Sequence, residues 1–393
     1  MSSSARVAGE PHAHRVARRL ESRGLPGLAE ALVRLRGTVV GGRWRIESLY
    51  AVGAEGAVYL VSDLQNDGAA ECVAKIALLP YHRPAEISSR SLRHRRESLR
   101  TEAAHLAASA SPYMPAIVGL HEFANPLLDW ARGGPFAQAE PALVMERLPG
   151  LDMDRWLARV HRSSIPRPLL RKHLDRVVVV LLDALIDLEE RGFLYADLRP
   201  GNLRMIGGPQ RHVRLLDAGS LVRSDDRSGR FPHVPHYLPP ALFEQHHALG
   251  KDIAPSPETL AVMAGRTLYE VVTGVIPVPG EPLDRQAYRD CAVSPQVADV
   301  VDGLATGSFP NVLHAMRYLT RQTERAARPR PKPVVVPPDA PRAAPSRRAA
   351  PHAATGTPEA SRAPAPPVPP TVAGHVVGWA LRFCRRIFRL APN

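Results

Sequence analysis

The distribution of proline limits where this chain can fold. The sequence has 393 residues and 40 prolines, and 14 of these prolines lie between residues 329 and 370, mixed with Ala and Arg and without a periodic apolar pattern. Such a segment cannot bury enough apolar surface to offset the entropy that ordering costs. We therefore predict a folded region that ends near residue 322, followed by a disordered Pro/Ala/Arg-rich linker over residues 323–370.

The last 23 residues, 371–393, have a different pattern. One face of a helical wheel carries Val372, Val376, Trp379, Phe383, Ile387 and Leu390, and Arg382, Arg385, Arg386 and Arg389 cluster opposite it. This arrangement predicts a cationic amphipathic helix. Such a helix suits an anionic membrane surface, and it equally suits docking on a partner or on the folded region; the sequence leaves both interpretations open.

The charge of the chain points to anionic partners. The formal net charge is +13 and the pI is about 10.3, which suits a nucleotide, a nucleic acid or a lipid surface. The alternative is that many arginines only keep disordered segments soluble. Aromatic residues are 5% of the sequence and are not interleaved with basic residues, so no nucleic-acid partner is expected.

Cysteine usage and the N-terminus predict a cytoplasmic location. Three distant cysteines, Cys72, Cys291 and Cys384, form neither a disulfide framework nor a zinc pattern. The first 20 residues lack the apolar core of a secretory signal. The sequence contains no run of 18 apolar residues, so we expect no membrane-spanning helix. The segment 371–393 is the one candidate for membrane association.

Local patterns predict an order of helices and strands. Arginine-rich amphipathic segments over residues 13–36 indicate an N-terminal helical extension, residues 1–39. The runs WRIESLY, GAVYLV and ECVAKIAL and the stretch PALVMERL read as strands. Helical patterns cover residues 91–109, 169–192 and 258–274, and HVRLLDAG reads as a short strand.

The glycines and the lysine of the first strands are candidates for phosphate binding. Gly53 and Gly56 lie between two strand-like runs, where backbone N–H groups could approach phosphates without interference from Cβ; an ordinary hairpin explains them as well. Lys75 lies in the middle of VAKIA. A buried ammonium needs an anionic partner, whereas a lysine on an edge strand reaches solvent.

The stretch FLYADLRPGNLRM carries Asp197 and Asn202 five positions apart, and Asp217 follows in LLDAG. Asp and Asn are also favoured in capped turns, so either residue alone indicates no more than a turn. Their side chains also offer the hard oxygen donors that suit Mg²⁺, so a metal-holding loop and a polar turn both stay open at this point.

The order of these pieces resembles the protein kinase family, in the form of a divergent bacterial-type Ser/Thr kinase, over residues 40 to 275. The resemblance implies an α+β, bilobal fold with a small antiparallel sheet lobe carrying one helix and a larger, mainly helical lobe. The implied domain spans residues 40–322, with its N-lobe at 40–148 and its C-lobe at 149–322.

The same resemblance implies ATP and Mg²⁺ as cofactors and assigns the nucleotide site. The residues that line it by resemblance are Ala51, Val52, Gly53, Gly56, Val58, Ala74, Lys75, Met145, Glu146 and Leu148. Lys75 would pair with the α/β-phosphates and with a helix glutamate, Glu102 first and Glu97 as the fallback. The backbone from Glu146 to Leu148 would bond the adenine edge.

The catalytic and metal roles follow from the same comparison. Asp197 would accept the proton of an attacking Ser/Thr hydroxyl, Arg199 would place a positive charge near the transferred phosphate, and Asn202 and Asp217 would bind Mg²⁺. A protein substrate is expected.

Several residues depart from the family pattern. Tyr195 and Ala196 replace the histidine and arginine before the aspartate, Ala218 replaces a phenylalanine, and Leu260 stands where an aspartate usually supports the catalytic loop. These changes argue against switching by activation-segment phosphorylation. They leave two alternatives open: a pseudokinase-like binding module, or a kinase of a small molecule or of one dedicated partner.

Overall fold

The computed structural model describes residues 26–53, 56–66, 71–77, 89–126, 139–207, 212–226, 235–249 and 256–327. The chain divides into two units, Met1–Gln322 and Thr323–Asn393, and of the second unit the described residues 323–327 end the last helix. The predicted helices before residue 26, the greater part of the linker and the amphipathic helix 371–393 lie outside the described residues.

The N-terminal part of the first unit is built on one antiparallel sheet. Its elements are α1 (Pro26–Val33), β1 (Val39–Val40), β2 (Trp44–Val52), β3 (Gly56–Asp63), β4 (Cys72–Ala77), α2 (Ser89–Ser109), β5 (Ile117–Ala124) and β6 (Ala139–Glu146). The strand order is β1-β2-β3-β4-β6-β5. The three strand-like runs of the sequence are β2, β3 and β4, and consecutive strands pair as hairpins because short polar turns separate them.

The segment before residue 40 packs into the core of this sheet. Leu32 and Leu35 are buried with Trp44 and Ile46 in one apolar cluster. The hydroxyl of Tyr59 donates to the carbonyl oxygen of Leu32 at 3.1 Å. The apolar core therefore continues across the predicted boundary between residues 39 and 40.

The C-terminal part of the first unit is mainly helical. Its elements are β7 (Leu151–Asp152), α3 (Met153–Val160), α4 (Arg167–Glu190), β8 (Phe193–Tyr195), β9 (Leu203–Ile206), β10 (His212–Leu215), β11 (Leu221–Arg223), α5 (Pro240–Leu249), α6 (Pro257–Thr273), α7 (Arg285–Asp290), α8 (Pro295–Ala305) and α9 (Val312–Ala327). Small sheets β10-β9-β7 and β11-β8 hold the loops between α4 and α5. The predicted mixture of helices and antiparallel sheet is confirmed.

The two helices predicted from apolar runs are buried at the centre of this part. The Val-Val-Val-Val run of α4 forms helix because its length and the Gly192 stop outweigh the strand propensity of valine; Gly192 has φ of +80°. Helix α6 begins at the cap Ser256, whose hydroxyl accepts from the Thr259 N–H, and ends at left-handed Gly274. No described helix has both the length and the apolar character needed to cross a membrane.

Asp183 on α4 makes the stability of this core depend on pH. Burial raises the pKa of Asp183, the negative charge of Asp187 raises it further, and the hydrogen bond from the Tyr113 hydroxyl opposes both. A carboxyl with a raised native pKa favours the folded state when it is protonated. Its stabilisation is present below the unfolded pKa of about 3.9 and is lost as pH rises through the native value.

We therefore expect the melting temperature of Asp183→Asn to lie a few degrees above that of wild type at pH 8, since each kcal/mol corresponds to about 2–4 °C. This difference in melting temperature should close towards pH 4. Thermal melting across this pH range measures it. Asp299→Asn is the matched control, because Asp299 also accepts from a tyrosine hydroxyl, that of Tyr318, but is exposed. A constant gap across the pH range would contradict the prediction.

Candidate active site

Lys75 is held by a buried carboxylate. It lies in the middle of β4, opposite Val58 of β3 and Leu143 of β6. Its ammonium lies 2.7 Å from Oε2 of Glu102, and the two side chains are 17% and 4% exposed. The fallback partner, Glu97, lies instead beside Arg100 on the surface of α2. The sheet and α2 thus bring Lys75 and Glu102 together.

Asp217 is the second carboxylate at this lysine. Its Oδ1 lies 3.1 Å from Nζ of Lys75, although 142 residues separate the two in sequence. Burial opposes a charge on Lys75, but the carboxylates of Glu102 and Asp217 outweigh burial and raise its pKa. Lys75 therefore stays protonated and joins the sheet, α2 and the Asp217 turn at one point.

The glycine-containing turn lies directly over this lysine. The Gly53 N–H donates to the Gly56 carbonyl oxygen at 2.8 Å, which closes the turn; residues 54 and 55 lie outside the described residues. A Cβ on Gly56 would lie 3.0 Å from Cε of Lys75. Glycine at this position leaves room for the lysine side chain. Ala51 pairs with Val58, and Val52 pairs with Ala57, at the ends of the two strands.

The segment after β6 connects the two parts of the unit. Met145, which pairs with Val73 of β4, and Ala74, which pairs with Val144, are both buried. The Glu146 N–H donates to the Ala116 carbonyl oxygen at 2.8 Å. The Glu146 carboxylate accepts from Arg214 at 2.9 Å. Among the described residues, no backbone carbonyl accepts a hydrogen bond from the Leu148 N–H. A hydrogen-bond donor therefore remains at the predicted adenine edge.

The loop after β8 places Asp197 between Arg199 and Asn202. Oδ2 of Asp197 accepts from Nε of Arg199 at 3.0 Å and from Nδ2 of Asn202 at 2.8 Å. The same amide nitrogen donates to the Asp197 carbonyl oxygen. A short 3₁₀ turn at Pro200–Asn202 fixes this geometry. Because its nitrogen is engaged, Asn202 keeps its amide oxygen as an acceptor.

The other carboxylate oxygen of Asp197 has the environment of a proton acceptor. Oδ1 is buried and has no hydrogen-bond partner among the described residues. Burial raises the pKa of Asp197, while Arg199 and Asn202 lower it and the Asp217 charge raises it. An unsatisfied buried oxygen of this kind requires a physical reason, and an incoming hydroxyl hydrogen would satisfy it.

Tyr195 supports the Asp217 turn. The Asp217 N–H donates to the Tyr195 hydroxyl oxygen at 3.4 Å, and the Leu216 N–H donates to the Asn202 carbonyl oxygen at 2.9 Å. Burial raises the pKa of Tyr195 strongly. The phenol of Tyr195 therefore supplies a contact between β8 and the Asp217 turn.

A second support comes from α6. Leu260 is a buried apolar residue of this helix, and the hydroxyl of Thr267, two helical turns further, donates to the Leu198 carbonyl oxygen at 2.7 Å. Sequence reasoning missed Thr267 because a buried threonine within an apolar helix gives no signal of its contact.

Tyr50 and Arg204 bridge the sheet and the helical part, and the sequence gives no indication of this contact. The Tyr50 hydroxyl bonds to the guanidinium of Arg204, and the guanidinium carbons of Arg147 and Arg204 lie 5.7 and 5.6 Å from the tyrosine ring centroid. Arg204 also pairs with Asp152 at 2.7 Å and donates to the Gly150 carbonyl oxygen. The bridge lies beside the predicted nucleotide-binding residues Ala51 and Leu148.

The donor set at the centre of the site suits a hard divalent cation. Asp217 uses Oδ1 for Lys75 and for the Gly219 N–H, and the bond from the Leu216 N–H to the Asn202 backbone carbonyl oxygen joins the two segments that carry Asn202 and Asp217. No cluster of three His, Cys, Asp or Glu residues suited to a metal occurs in the described ranges. Mg²⁺ needs no such cluster, since it takes one or two carboxylates and completes its shell with water and phosphate oxygens.

Comparison with known proteins finds similarity among solved structures. No family model and no curated protein matches the sequence. Among solved structures, the PknI kinase domain of Mycobacterium tuberculosis is similar, with 18% sequence identity over 73% of this chain and 99% of that chain and a TM-score of 0.48. Few residues are shared, so the roles of individual side chains rest on the geometry of this chain.

Proposed function

We propose that this chain is an ATP- and Mg²⁺-dependent phosphotransferase of the protein kinase-like class, with a bilobal domain over residues 40–322. In this proposal it transfers the γ-phosphate to a Ser/Thr hydroxyl of a protein substrate. The observation that carries the proposal is the ion-pair set in which Lys75 contacts both Glu102 and Asp217. Phosphoryl transfer depends mainly on the positioning and neutralisation of phosphate charge, which such a set provides.

Separate residues of this chain bind the phosphates, the metal ion and the rest of the nucleotide in this proposal. Lys75, held by Glu102, points a fixed positive charge at the α/β-phosphates beneath the Gly53–Gly56 turn. Asp217 and Asn202 would hold Mg²⁺, which when bound neutralises charge on the β- and γ-phosphates. Gly53, Gly56 and the Leu148 N–H orient the rest of the nucleotide.

Asp197 acts on the acceptor. Its buried Oδ1 takes the hydrogen of the attacking hydroxyl, while Oδ2 stays fixed by Arg199 and Asn202. A raised pKa makes Asp197 a stronger base than an exposed aspartate. As the hydroxyl approaches, Arg199 stands beside the same carboxylate, where its charge can offset that of the γ-phosphate.

Asp197→Asn tests the transfer step. We expect nucleotide affinity within about twofold of wild type, because the amide keeps the hydrogen-bonded shape, and a loss of transfer on the order of a hundredfold or more. The measurements are nucleotide titration by fluorescence and phosphate transfer from ATP, with modified residues mapped by mass spectrometry. Asp225→Asn is the control, because Asp225 is 73% exposed and contacts Arg223. Transfer that survives Asp197→Asn would rule out the assigned base.

The Tyr50–Arg204 bridge favours a second candidate, a binding module that does not turn over nucleotide. The bridge joins β2 to β9 beside the predicted base site, so a nucleobase would have to displace or stack on it. Two measurements separate the candidates. An unchanged melting temperature with ATP and Mg²⁺ supports the binding module, whereas an increase together with phosphate transfer that Asp197→Asn abolishes supports the phosphotransferase.

A further inference from the structure

An apolar cavity lies between α3, α4 and the small sheet, outside the candidate active site. Its volume is about 270 Å³. Apolar side chains form most of its wall: Trp156, Val160, Ile165, Val177, Val180 and Met205. This volume lies below the range of roughly 300–1,000 Å³ that drug-sized ligands occupy. The cavity therefore fits one or two bulky apolar side chains.

The cavity is open to solvent. Trp156, Ile165 and Val180 in its wall are half-buried rather than buried. Leu169 of α4 is 47% exposed and lies four residues before the wall residue His173, on the same face of the helix. An apolar strip thus leads from the surface into the cavity, as an anchor side chain with a flanking backbone would need.

The rim of the cavity carries a net positive charge. Residues 152–176 contain seven Arg or Lys residues and three acidic residues; of these, Asp152 pairs with Arg204 and the Asp175 carboxylate accepts from the Ser294 N–H. Arg159 on α3 and Lys172 on α4 are exposed, and each directly precedes a wall residue. Neither has a carboxylate partner among the described residues. A positive rim around an apolar cavity selects ligands that are both acidic and apolar.

The chain's own termini have the wrong charge for this surface. Residues 328–393 carry 11 Arg or Lys residues and two acidic residues, and residues 1–25 carry five arginines and two glutamates. Like charges would repel each terminus from the rim. The occupant therefore comes from another molecule.

We propose that this cavity is a docking site for an acidic peptide segment of a partner protein, which inserts one bulky apolar side chain beside Trp156. Charge on the segment pairs with Arg159 and Lys172, and the apolar anchor fills the space between α3 and α4. Since Asp197, Asn202 and Asp217 are not part of its wall, docking does not depend on the proposed transferase activity.

The test uses the full chain and labelled twelve-residue peptides rich in Asp and Glu, each with one central Leu, Phe or Trp. Fluorescence anisotropy measures binding, and matched peptides with a central Ala or with Lys in place of the acids are the ligand controls. We expect at least one apolar-bearing acidic peptide to bind, with affinity about tenfold or more above its Ala counterpart. Failure of all three to bind overturns the proposal.

Surface variants locate the site without disturbing the core. Arg159→Glu combined with Lys172→Glu should weaken peptide binding by about tenfold or more, whereas Arg317→Glu combined with Arg321→Glu, exposed cations of α9, should not. Binding should also change the emission of wild type but not of Trp156→Phe. Equal losses of peptide affinity in the two double variants would contradict this location of the site.

A membrane surface is the competing occupant. Vesicles with and without anionic phosphatidylglycerol are therefore tested with the same variants. Vesicle binding that depends on Arg159 and Lys172, with no peptide binding, overturns the peptide proposal in favour of lipid.

Discussion

We expect Asp217→Asn to remove the stabilisation that, under the proposed function, ATP and Mg²⁺ should give to the wild-type protein. In wild type, saturation at 100 times the dissociation constant adds about 2.7 kcal/mol to the free energy of unfolding, and this is measured as an increase in melting temperature. The variant loses a carboxylate that Mg²⁺ would use and keeps an amide of the same shape. We expect its melting temperature with ATP to be the same with and without Mg²⁺.

The protein without ligand should tolerate this change. Asp217 is 37% exposed, Asn keeps an oxygen that can accept from Lys75 and from the Gly219 N–H, and Glu102 remains as the charged partner of Lys75. Melting without nucleotide should therefore shift little. A melting temperature that falls below that of wild type only with ATP and Mg²⁺ then reports a change in ligand binding and not in the fold.

Transfer should decrease along with binding. Removal of metal-based charge stabilisation costs several kcal/mol in the transition state, which corresponds to roughly a thousandfold or more in kcat/KM. The control is Asp225→Asn, the same change eight residues further along on an exposed side chain. A variant at Asp217 that still responds to Mg²⁺ would contradict its proposed role as a ligand.

The sequence predicts the parts of this site that depend on local pattern. The Gly53–Gly56 turn, the strand with Lys75 and the helix with Glu102 each show a periodicity or a turn residue that a short window reveals. The chain order then indicates how these elements associate. The structure places Lys75 within hydrogen-bond distance of Glu102 and Asp217, and it places Asp197 within hydrogen-bond distance of Arg199 and Asn202; the chemical roles of these residues stay predictions.

Contacts between distant segments were not predictable. Tyr50 and Arg204 lie 154 residues apart, and neither type of residue indicates such a partner. Strand β5 is missed for another reason: its apolar residues Val118 and Leu120 lie on the exposed side, so its pattern does not match its burial. Side-chain packing, and not local propensity, decides these features.

Arg266→Met should produce the largest loss of stability among these variants. Arg266 lies on α6 and is 1% exposed. Its guanidinium donates to the carbonyl oxygens of His236 at 3.1 Å, Val278 at 2.8 Å and Glu281 at 2.9 Å. Burial lowers the pKa of Arg266, and its three carbonyl partners satisfy the donors of a cation that would otherwise be costly inside the core.

Methionine is close to arginine in length but leaves those three carbonyls without a donor. An unsatisfied buried group costs about 1–3 kcal/mol, and three carbonyls lose their donor together. We expect a loss of about 3–5 kcal/mol in the free energy of unfolding, measured as a lower urea midpoint with an unchanged slope. Arg285→Met is the control: Arg285 is 75% exposed, pairs with Asp302 at 3.2 Å and should change stability by about 1 kcal/mol or less.

The loss of stability should extend to the segment beside the candidate active site, because Arg266 contacts the His236 carbonyl oxygen. The turn at Pro235–Tyr237 precedes Leu238, which packs against Ala196, the neighbour of Asp197. Faster hydrogen exchange at residues 236–238 and 278–281, with the sheet unchanged, would show that Arg266 joins α6 to this segment. A loss below about 1 kcal/mol, with unchanged exchange, would mean that water replaces the guanidinium at all three carbonyls.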